Sequence, residues 1–179
     1  MINFAEIFCH IRKEMMMPLD LVYDCKIQPT ADELSKSVQM AYKAALNHDF
    51  TDVSNFLIFR EKFDPKLVNE MIEEYRKHIA ILAVYDPLGY DIPISDLVDP
   101  VWHTHILYTQ DYTSLCKKMG CSYIHHQPFV FEDEAELLMP AYREITYRLH
   151  ATHFSVNEKF WGKSTRVGCM TKPFKSDLF

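Results

Sequence analysis

The chain has 179 residues, of which 48% are hydrophobic and 25% charged, with four glycines and a net charge of −6. This composition is typical of a globular protein that buries a core of ordinary size. No basic tract supplies the charge that binds nucleic acid phosphates. No apolar run reaches the roughly 20 residues of a membrane-spanning helix. We therefore expect no nucleic-acid partner and no membrane span. Neither GxGxxG nor a Walker A motif is present.

The cysteines predict a reducing compartment. They are odd in number and form no CxxC pair, so a disulfide framework is not expected. Charged residues from Glu6 to Glu14 interrupt the first apolar stretch too early for a secretory signal. These features favour a cytoplasmic protein. The five cysteines are Cys9, Cys25, Cys116, Cys121 and Cys169.

The first half of the chain is mostly helical in its patterning. An amphipathic helix is predicted over 1–17, and 19–28 is ambiguous between a strand and an irregular segment. A capping-box spacing of Thr30 and Glu33 opens a helix that ends near residue 47. Asp64 before Pro65 predicts the start of the next helix, and Asp86-Pro87-Leu88-Gly89 predicts its end.

The last third continues the helical pattern. An acidic entry after Phe131 favours a helix from about 132 to 150, with Pro140 as a kink or boundary. A short helix is predicted over about 156–161, and an irregular tail over 163–179. No linker divides the chain. The predicted fold is mainly α: one compact helical domain over 1–179, with its core at about 30–162, in which a short extended His-His arm packs on a long central helix.

The central stretch, residues 96–128, holds four of the nine histidines. One helix is predicted from Asp96 or Asp99 to Gly120. Its apolar stripe places His105 in the core, where a bond to a backbone carbonyl or a tyrosine is the expected role. The stripe consists of Val98, Val101, His105, Tyr108, Tyr112, Leu115 and Met119.

The opposite face of this helix carries His103 with Asp99 one turn before it. His103 and His105 point about 200° apart on an α-helix, so one metal ion does not easily take both. A carboxylate four residues earlier can share a metal with His103 or orient its ring. Asp99 before Pro100 is equally a good helix N-cap, and the two roles do not exclude each other.

His125 and His126 lie on the arm that follows Gly120. Glycine permits a sharp reversal there, and an antiparallel arm can bring His126 near the level of His103. Neighbouring residues on a strand face opposite sides, so one of the two histidines is favoured. Asp99, His103 and His125 or His126 would form a two-histidine, one-carboxylate metal site suited to Zn or Fe.

Other reactive residues give weaker signals. Cys116 is predicted to be a buried structural thiol and Cys121 to be accessible, and neither has an adjacent cation that marks a nucleophile. His150 and His153 are spaced as an i, i+3 pair near a helix end, where exposed polar residues or partners of the helix C-terminal dipole are expected.

The run from Ile94 to Pro128 resembles the glycine-rich-domain-containing protein family, which includes plant proteins and small bacterial proteins. Its pattern of an acidic residue, Trp-His, a tyrosine-bearing stretch, a cysteine, a glycine and His-His-x-Pro is met by Asp99, Trp102-His103, Leu107 to Tyr112, Cys116, Gly120 and His125 to Pro128. The later Tyr-Leu and Trp also fit, although Ser155 stands where glycine is usual. The resemblance implies a helical domain with a histidine cluster and supplies no reaction. The chain lacks the plant members' glycine-rich segments, so their RNA-related roles do not carry over.

Two hypotheses follow for function. In the first, the protein binds a divalent metal through Asp99, His103 and the arm, with Tyr108 or Tyr112 nearby, and acts on a small-molecule or peptide substrate. In the second, it is a non-enzymatic interaction module or bacterial effector with a protein partner. The histidines would then form a structural hydrogen-bonded knot between helix and arm.

Overall fold

A computed structural model describes residues 29–90, 92–128, 132–162 and 167–170. In these ranges the chain is mainly helical, as predicted. None of the helices described there combines the length and apolar character needed to cross a membrane. The elements below belong to the unit Ala31–Phe179. The predictions for 1–17 and 19–28 lie outside the described residues.

The helices and strands are numbered here in chain order. The helices are α1 (Ala31–Leu46), α2 (Thr51–Asn55) with a π-helical turn (Phe56–Arg60), α3 (Pro65–Tyr85) with a 3-10 turn (Asp86–Leu88), α4 (Asp99–Leu107), α5 (Thr109–Met119), α6 (Glu132–His153) and α7 (Glu158–Trp161). The strands are β1 (Ile94–Ser95), β2 (Gln127–Pro128) and β3 (Val167–Met170).

Helix α3 begins and ends where the sequence predicts. Asp64 Oδ1 accepts hydrogen bonds from the backbone N–H of Lys66 at 2.9 Å and of Leu67 at 3.2 Å. Pro65 costs nothing at the first helical position, because that position has no helical partner for its N–H. Gly89, with φ at 81°, follows the 3-10 turn. The cap and the stop fix the length of the helix that lies at the centre of the core.

Asp64→Ala is expected to lower the free energy of unfolding by about 1 kcal/mol, because two amides at the helix start lose their acceptor. Urea unfolding followed by circular dichroism measures the change. Asp64→Asn is the matched control, since asparagine caps a helix about as well as aspartate. An alanine variant as stable as the wild type would contradict the capping role.

The core forms around α3. Helix α1 packs along it, and α4, α5 and α6 also contact it. Phe160 and Trp161 of α7 are buried with these helices and contribute two large aromatic side chains. The largest fully buried side chains are Trp102, Tyr75, Tyr112, Phe160, Leu57, Met71, Ile79, Ile81, Leu82, Ile92, Ile94 and Leu115.

A small antiparallel sheet joins distant parts of the chain. Its strand order is β1-β3-β2, with Ile94 opposite Cys169 and Gln127 opposite Met170. Strand β3 lies in the tail predicted to be irregular, so that prediction is wrong for 167–170; the rest of the tail is outside the described residues. The backbone of Val167–Met170 pairs with two strands that are distant in sequence. The turn-forming residues of the tail carry no information about this pairing.

The central stretch is two helices and not one. Helix α4 ends at Leu107 and α5 begins at Thr109, while Tyr108 between them has φ −85° and ψ 64°. The prediction of a single helix to Gly120 is therefore wrong in this respect. Neither proline nor glycine marks the break, so the sequence offers none of the usual signs of a kink. The break changes the direction in which residues after Tyr108 point.

Candidate metal centre and the buried histidines

Asp99, His103 and His126 come together at the start of α4. Asp99 Oδ2 lies 3.4 Å from His103 Nδ1, and Asp99 Oδ1 lies 2.9 Å from His126 Nε2. One ligand atom from each residue lies within 4.8 Å of the others. The two imidazole rings stack with their centroids 4.4 Å apart. This is a two-histidine, one-carboxylate arrangement, whose donor atoms could hold a metal ion.

Local helix geometry places the first two of these residues. Asp99 is the first residue of α4, and Val98 occupies the position before it. His103 follows one turn later and faces the same side as Asp99. The side chain of His103 is 58% exposed and that of Asp99 is 13% exposed. The carboxylate is thus shielded while one imidazole faces solvent.

The arm brings the third residue. Gly120, with φ at 80°, ends α5 and reverses the chain, as predicted. The Tyr112 hydroxyl donates to the carbonyl of Ile124 at 2.7 Å. Two residues further, the ring of His126 stacks on Trp102 at 4.2 Å. The arm therefore runs antiparallel to the helices, from Tyr112 back to Trp102.

His126 is held by ring contacts more than by hydrogen bonds. Its ring lies between Trp102 and His103, and its side chain is 4% exposed. Its Nε2 contacts Asp99 at 2.9 Å without the direction of a hydrogen bond, and its buried Nδ1 has no hydrogen-bond partner among the described residues. Two flat neighbours thus fix the ring plane and aim Nε2 at the carboxylate.

The other residues predicted for this site lie outside the group. His125 is exposed, and its ring contacts Tyr123 at 5.0 Å. Tyr112 accepts a hydrogen bond from Trp102 Nε1 at 3.0 Å and supports the arm. Tyr108 forms the break between α4 and α5. Of the two arm histidines, the structure brings His126 to Asp99 and leaves His125 at the surface.

A second group, missed by the sequence, contains His48, His105 and Asp111. Asp111 Oδ2 lies 2.9 Å from His48 Nε2 and 3.0 Å from His105 Nε2. On its other nitrogen, Nδ1, His105 contacts the Tyr75 hydroxyl at 3.1 Å. The predicted core position and tyrosine partner of His105 are confirmed. Burial lowers the pKa of His105 to about 4, although the nearby Asp111 raises it.

A third set of rings lies deeper, between α3, α6 and α7. His78 Nδ1 and His150 Nε2 are 3.3 Å apart, and the indole of Trp161 stacks on both rings. Trp161 Nε1 donates to Glu74 Oε2 at 2.7 Å. Burial lowers the pKa of His78 to about 3 and holds that of His150 well below its usual value. Both rings are neutral at pH 7.

The expectation that His150 and His153 are exposed is wrong. His150 is fully buried, and His153 is buried with its Nε2 2.9 Å from the Tyr85 hydroxyl. Both sit on the face of α6 that carries Thr146 and Leu149, which are also buried. Spacings of three and four residues along this face are those of a helix stripe packed against a core.

Cys116 is buried, as predicted, and Cys121 is partly buried. Both are free thiols, and Cys121 Sγ donates to the carbonyl of Cys116 at 3.4 Å. A side-chain hydrogen bond between the two thiols lowers the pKa of Cys116 to about 7, against the effect of burial, and raises the pKa of Cys121. The two cysteines interact mainly with each other and with the arm.

Fold and site together define a helical protein with two His-Asp groups. The donor atoms of each group could hold a metal, and the same side chains also contact one another directly. The profile of the UCP032817-like family matches residues 39–147, which is more than half of the chain. The chain belongs to this family. The family is uncharacterised, so membership assigns no activity. No curated protein and no solved structure matches the chain.

This membership corrects the resemblance to the glycine-rich-domain-containing proteins. The resemblance depended on Trp102-His103 and on His125 to Pro128, which are short motifs. In the structure, Trp102, His103 and His126 form a stacked contact between a helix and an arm. Aromatic rings stack in this way in unrelated proteins, so the contact does not by itself identify a family.

Proposed function

We propose that this protein binds one divalent metal ion through Asp99, His103 and His126, and that the ion serves a metal-dependent reaction. The observation that supports this best is the meeting of one carboxylate and two imidazoles within 4.8 Å. Tetrahedral nitrogen and oxygen ligands of zinc lie about 3.3 Å from one another. The contacts of 2.9 and 3.4 Å are close to this separation.

The donor set favours zinc or iron(II). Three protein ligands leave coordination positions for water and substrate, which distinguishes catalytic from closed structural sites. When bound, such an ion acts as a Lewis acid and lowers the pKa of a coordinated water. The ring of His126, fixed between Trp102 and His103, needs little reorganisation to present Nε2. The exposed side of His103 is the side from which a substrate approaches.

The substrate class that fits is a small molecule or a peptide with an oxygen that a Lewis acid polarises. We place the reaction in the cytoplasm, because free thiols at Cys116 and Cys121 suit a reducing compartment. Nucleic acid is not the proposed partner, because the net charge is −6.

The test is a zinc titration of protein purified without a nickel column and treated with chelator. His103→Ala is expected to remove one equivalent of bound zinc, or to weaken its Kd at least about 100-fold, since even outer-shell partners of a metal contribute 10- to 100-fold. Zinc at about 100 times its Kd should stabilise the wild type by about 2.7 kcal/mol. Calorimetry measures the binding, and thermal unfolding measures the stabilisation. Anaerobic iron(II) is titrated in parallel.

His125→Ala is the matched control, because His125 is the neighbouring arm histidine and lies outside the group. It is expected to bind zinc as the wild type does. Zinc binding by His103→Ala equal to that of the wild type would sink the proposal. A melting temperature unaffected by chelator and by zinc would support the rival hypothesis, an interaction module with a structural histidine knot. In that case His103→Ala lowers the stability of the protein and has no effect on zinc binding.

A further inference from the structure

We propose that His48, His105 and Asp111 form a second, separate cation site, which takes a divalent transition metal. Both imidazoles direct Nε2 at the same carboxylate oxygen, at 2.9 and 3.0 Å. Imidazole nitrogen and carboxylate oxygen are the donors that zinc, cobalt and iron(II) accept. This site shares no residue with Asp99, His103 and His126, so it does not depend on the proposed function.

The ring of His105 has the support that metal-bound histidines usually have. A ligating imidazole typically donates its other N–H to an oxygen, which fixes the tautomer and the ring orientation. His105 Nδ1 lies 3.1 Å from the Tyr75 hydroxyl, and both side chains are fully buried. With the proton on Nδ1 donated to Tyr75 Oη, the lone pair of Nε2 faces the site. Moving this proton from Nε2 to Nδ1 changes the tautomer and leaves the ring neutral.

An apolar shell surrounds the two imidazoles. Phe50 meets the ring of His48 at 4.9 Å and that of His105 at 5.1 Å, both edge to face. Tyr112 contacts His105 from another side at 5.1 Å. The side chains of His48 and His105 are 2% and 0% exposed. Such a shell limits water access and strengthens electrostatic attraction between a cation and its ligands.

The break at Tyr108 creates the site. Residues six apart on a continuous α-helix, such as His105 and Asp111, point about 120° apart and lie about 9 Å apart along the axis, so their side chains would not meet. With α4 and α5 meeting at Tyr108, the carboxylate of Asp111 turns back to His105. The Asp111 side chain is 43% exposed, so the cation has a route from solvent at that ligand. Three separate segments thus converge on one point.

The same contacts also make a hydrogen-bonded network without any cation, with one carboxylate oxygen accepting two N–H groups. The cation site and the cation-free network respond differently to Asp111→Asn. The amide keeps an oxygen acceptor and loses the negative charge. A network therefore largely survives this change, while a cation site of two neutral imidazoles and an amide binds far more weakly.

The experiment uses Co²⁺ alone as the probe, in a His103→Ala background from which the first site has been removed. We expect His103→Ala to bind one equivalent of Co²⁺, with a visible absorption spectrum of cobalt coordinated by nitrogen and oxygen. His103→Ala/Asp111→Asn should lose this equivalent or weaken its Kd at least about 100-fold. His103→Ala/Asp32→Asn is the matched control and should retain it, since Asp32 is exposed on α1.

Absence of Co²⁺ binding by His103→Ala would overturn the second site. Binding that Asp111→Asn leaves unchanged would overturn it as well. If the Asp111→Asn variant loses its circular dichroism signal, His103→Ala/His48→Gln replaces it with the same expected loss. The two proposals fail separately: equal cobalt binding by wild type and His103→Ala contradicts the first site, and insensitivity to Asp111 and His48 contradicts the second.

Discussion

Acidification of the metal-free protein from pH 7 to pH 5 is expected to lower its free energy of unfolding steeply, because His78 and His150 are buried without charge. Once unfolded, a histidine takes up a proton below about pH 6.5. In the folded state burial holds the pKa of His78 at about 3 and that of His150 well below the usual value. The unfolded state therefore binds more protons over this range.

The sign and the size of this change in the free energy of unfolding follow from proton linkage. The stability is fully present above pH 6.5 and is lost as the pH falls toward 3, by at most about 1.4 kcal/mol per pH unit for each histidine. The neighbouring His126 adds to the depression at His78, while Lys77 and His153 add to it at His150. Electrostatic repulsion from these neighbours acts in the same direction as burial.

Urea unfolding at half-unit steps of pH measures this dependence. His150→Phe keeps an aromatic ring against Trp161 and removes one titrating group. The slope of its unfolding free energy against pH should therefore decrease by the contribution of about one proton. The control is His125→Ala, which removes an exposed histidine of the arm and leaves the buried rings of His78 and His150 in place. A His150→Phe variant with the wild-type slope would show that His150 does not titrate on unfolding.

Trp102→Ala is expected to cost about 3–5 kcal/mol of stability, the usual loss when a fully buried tryptophan is truncated. Trp102 is fully buried, stacks on His126 and donates to the Tyr112 hydroxyl at 3.0 Å. Its removal leaves a cavity and also takes away the surface against which the arm is ordered. The melting temperature should fall by about 10 °C.

The matched control is Leu107→Ala on the same helix, since Leu107 is 70% exposed. That change should stay within about 0.5 kcal/mol of the wild type, because little apolar area is uncovered. Differential scanning calorimetry compares the two variants. If Trp102→Ala were to lose less than about 1 kcal/mol, the arm would have to be held by contacts other than this stack.

The parts of the fold predicted correctly depend on local chemistry. Asp64 before Pro65 caps α3, and Gly120 ends α5 with a positive φ, because both effects act within a few residues. The 3.6-residue period also located the core side of α4 and α5 correctly at Val101, His105 and Leu115. Each of these features can be deduced without knowing what packs nearby.

The second His-Asp group could not be found in this way. On one continuous helix, His105 and Asp111 would point about 120° apart. The break at Tyr108 that brings them together has no proline or glycine as a signal. His48 lies in a turn between α1 and α2, 57 positions before His105, where spacing carries no information. The group exists because of tertiary packing alone.

The burial of His150 could have been deduced. Thr146, Leu149, His150 and His153 recur at intervals of three and four, and all four are buried against the core. Their polar character favoured a solvated helix end, but inside the protein His78 lies within hydrogen-bond distance of His150 Nε2, and the Tyr85 hydroxyl of His153 Nε2. A polar stripe with helical period is compatible with a core when partners of matching chemistry face it.

Strand β3 ties together the two segments that carry Asp99, His103 and His126. It pairs on one side with β1, which ends four residues before Asp99, and on the other with β2, which starts directly after His126. Its residues 167–170 are made after α1 to α7. During synthesis, therefore, the helices can pack before β3 is available to pair with β1 and β2. Loop closure over this distance is entropically costly and slow relative to helix formation.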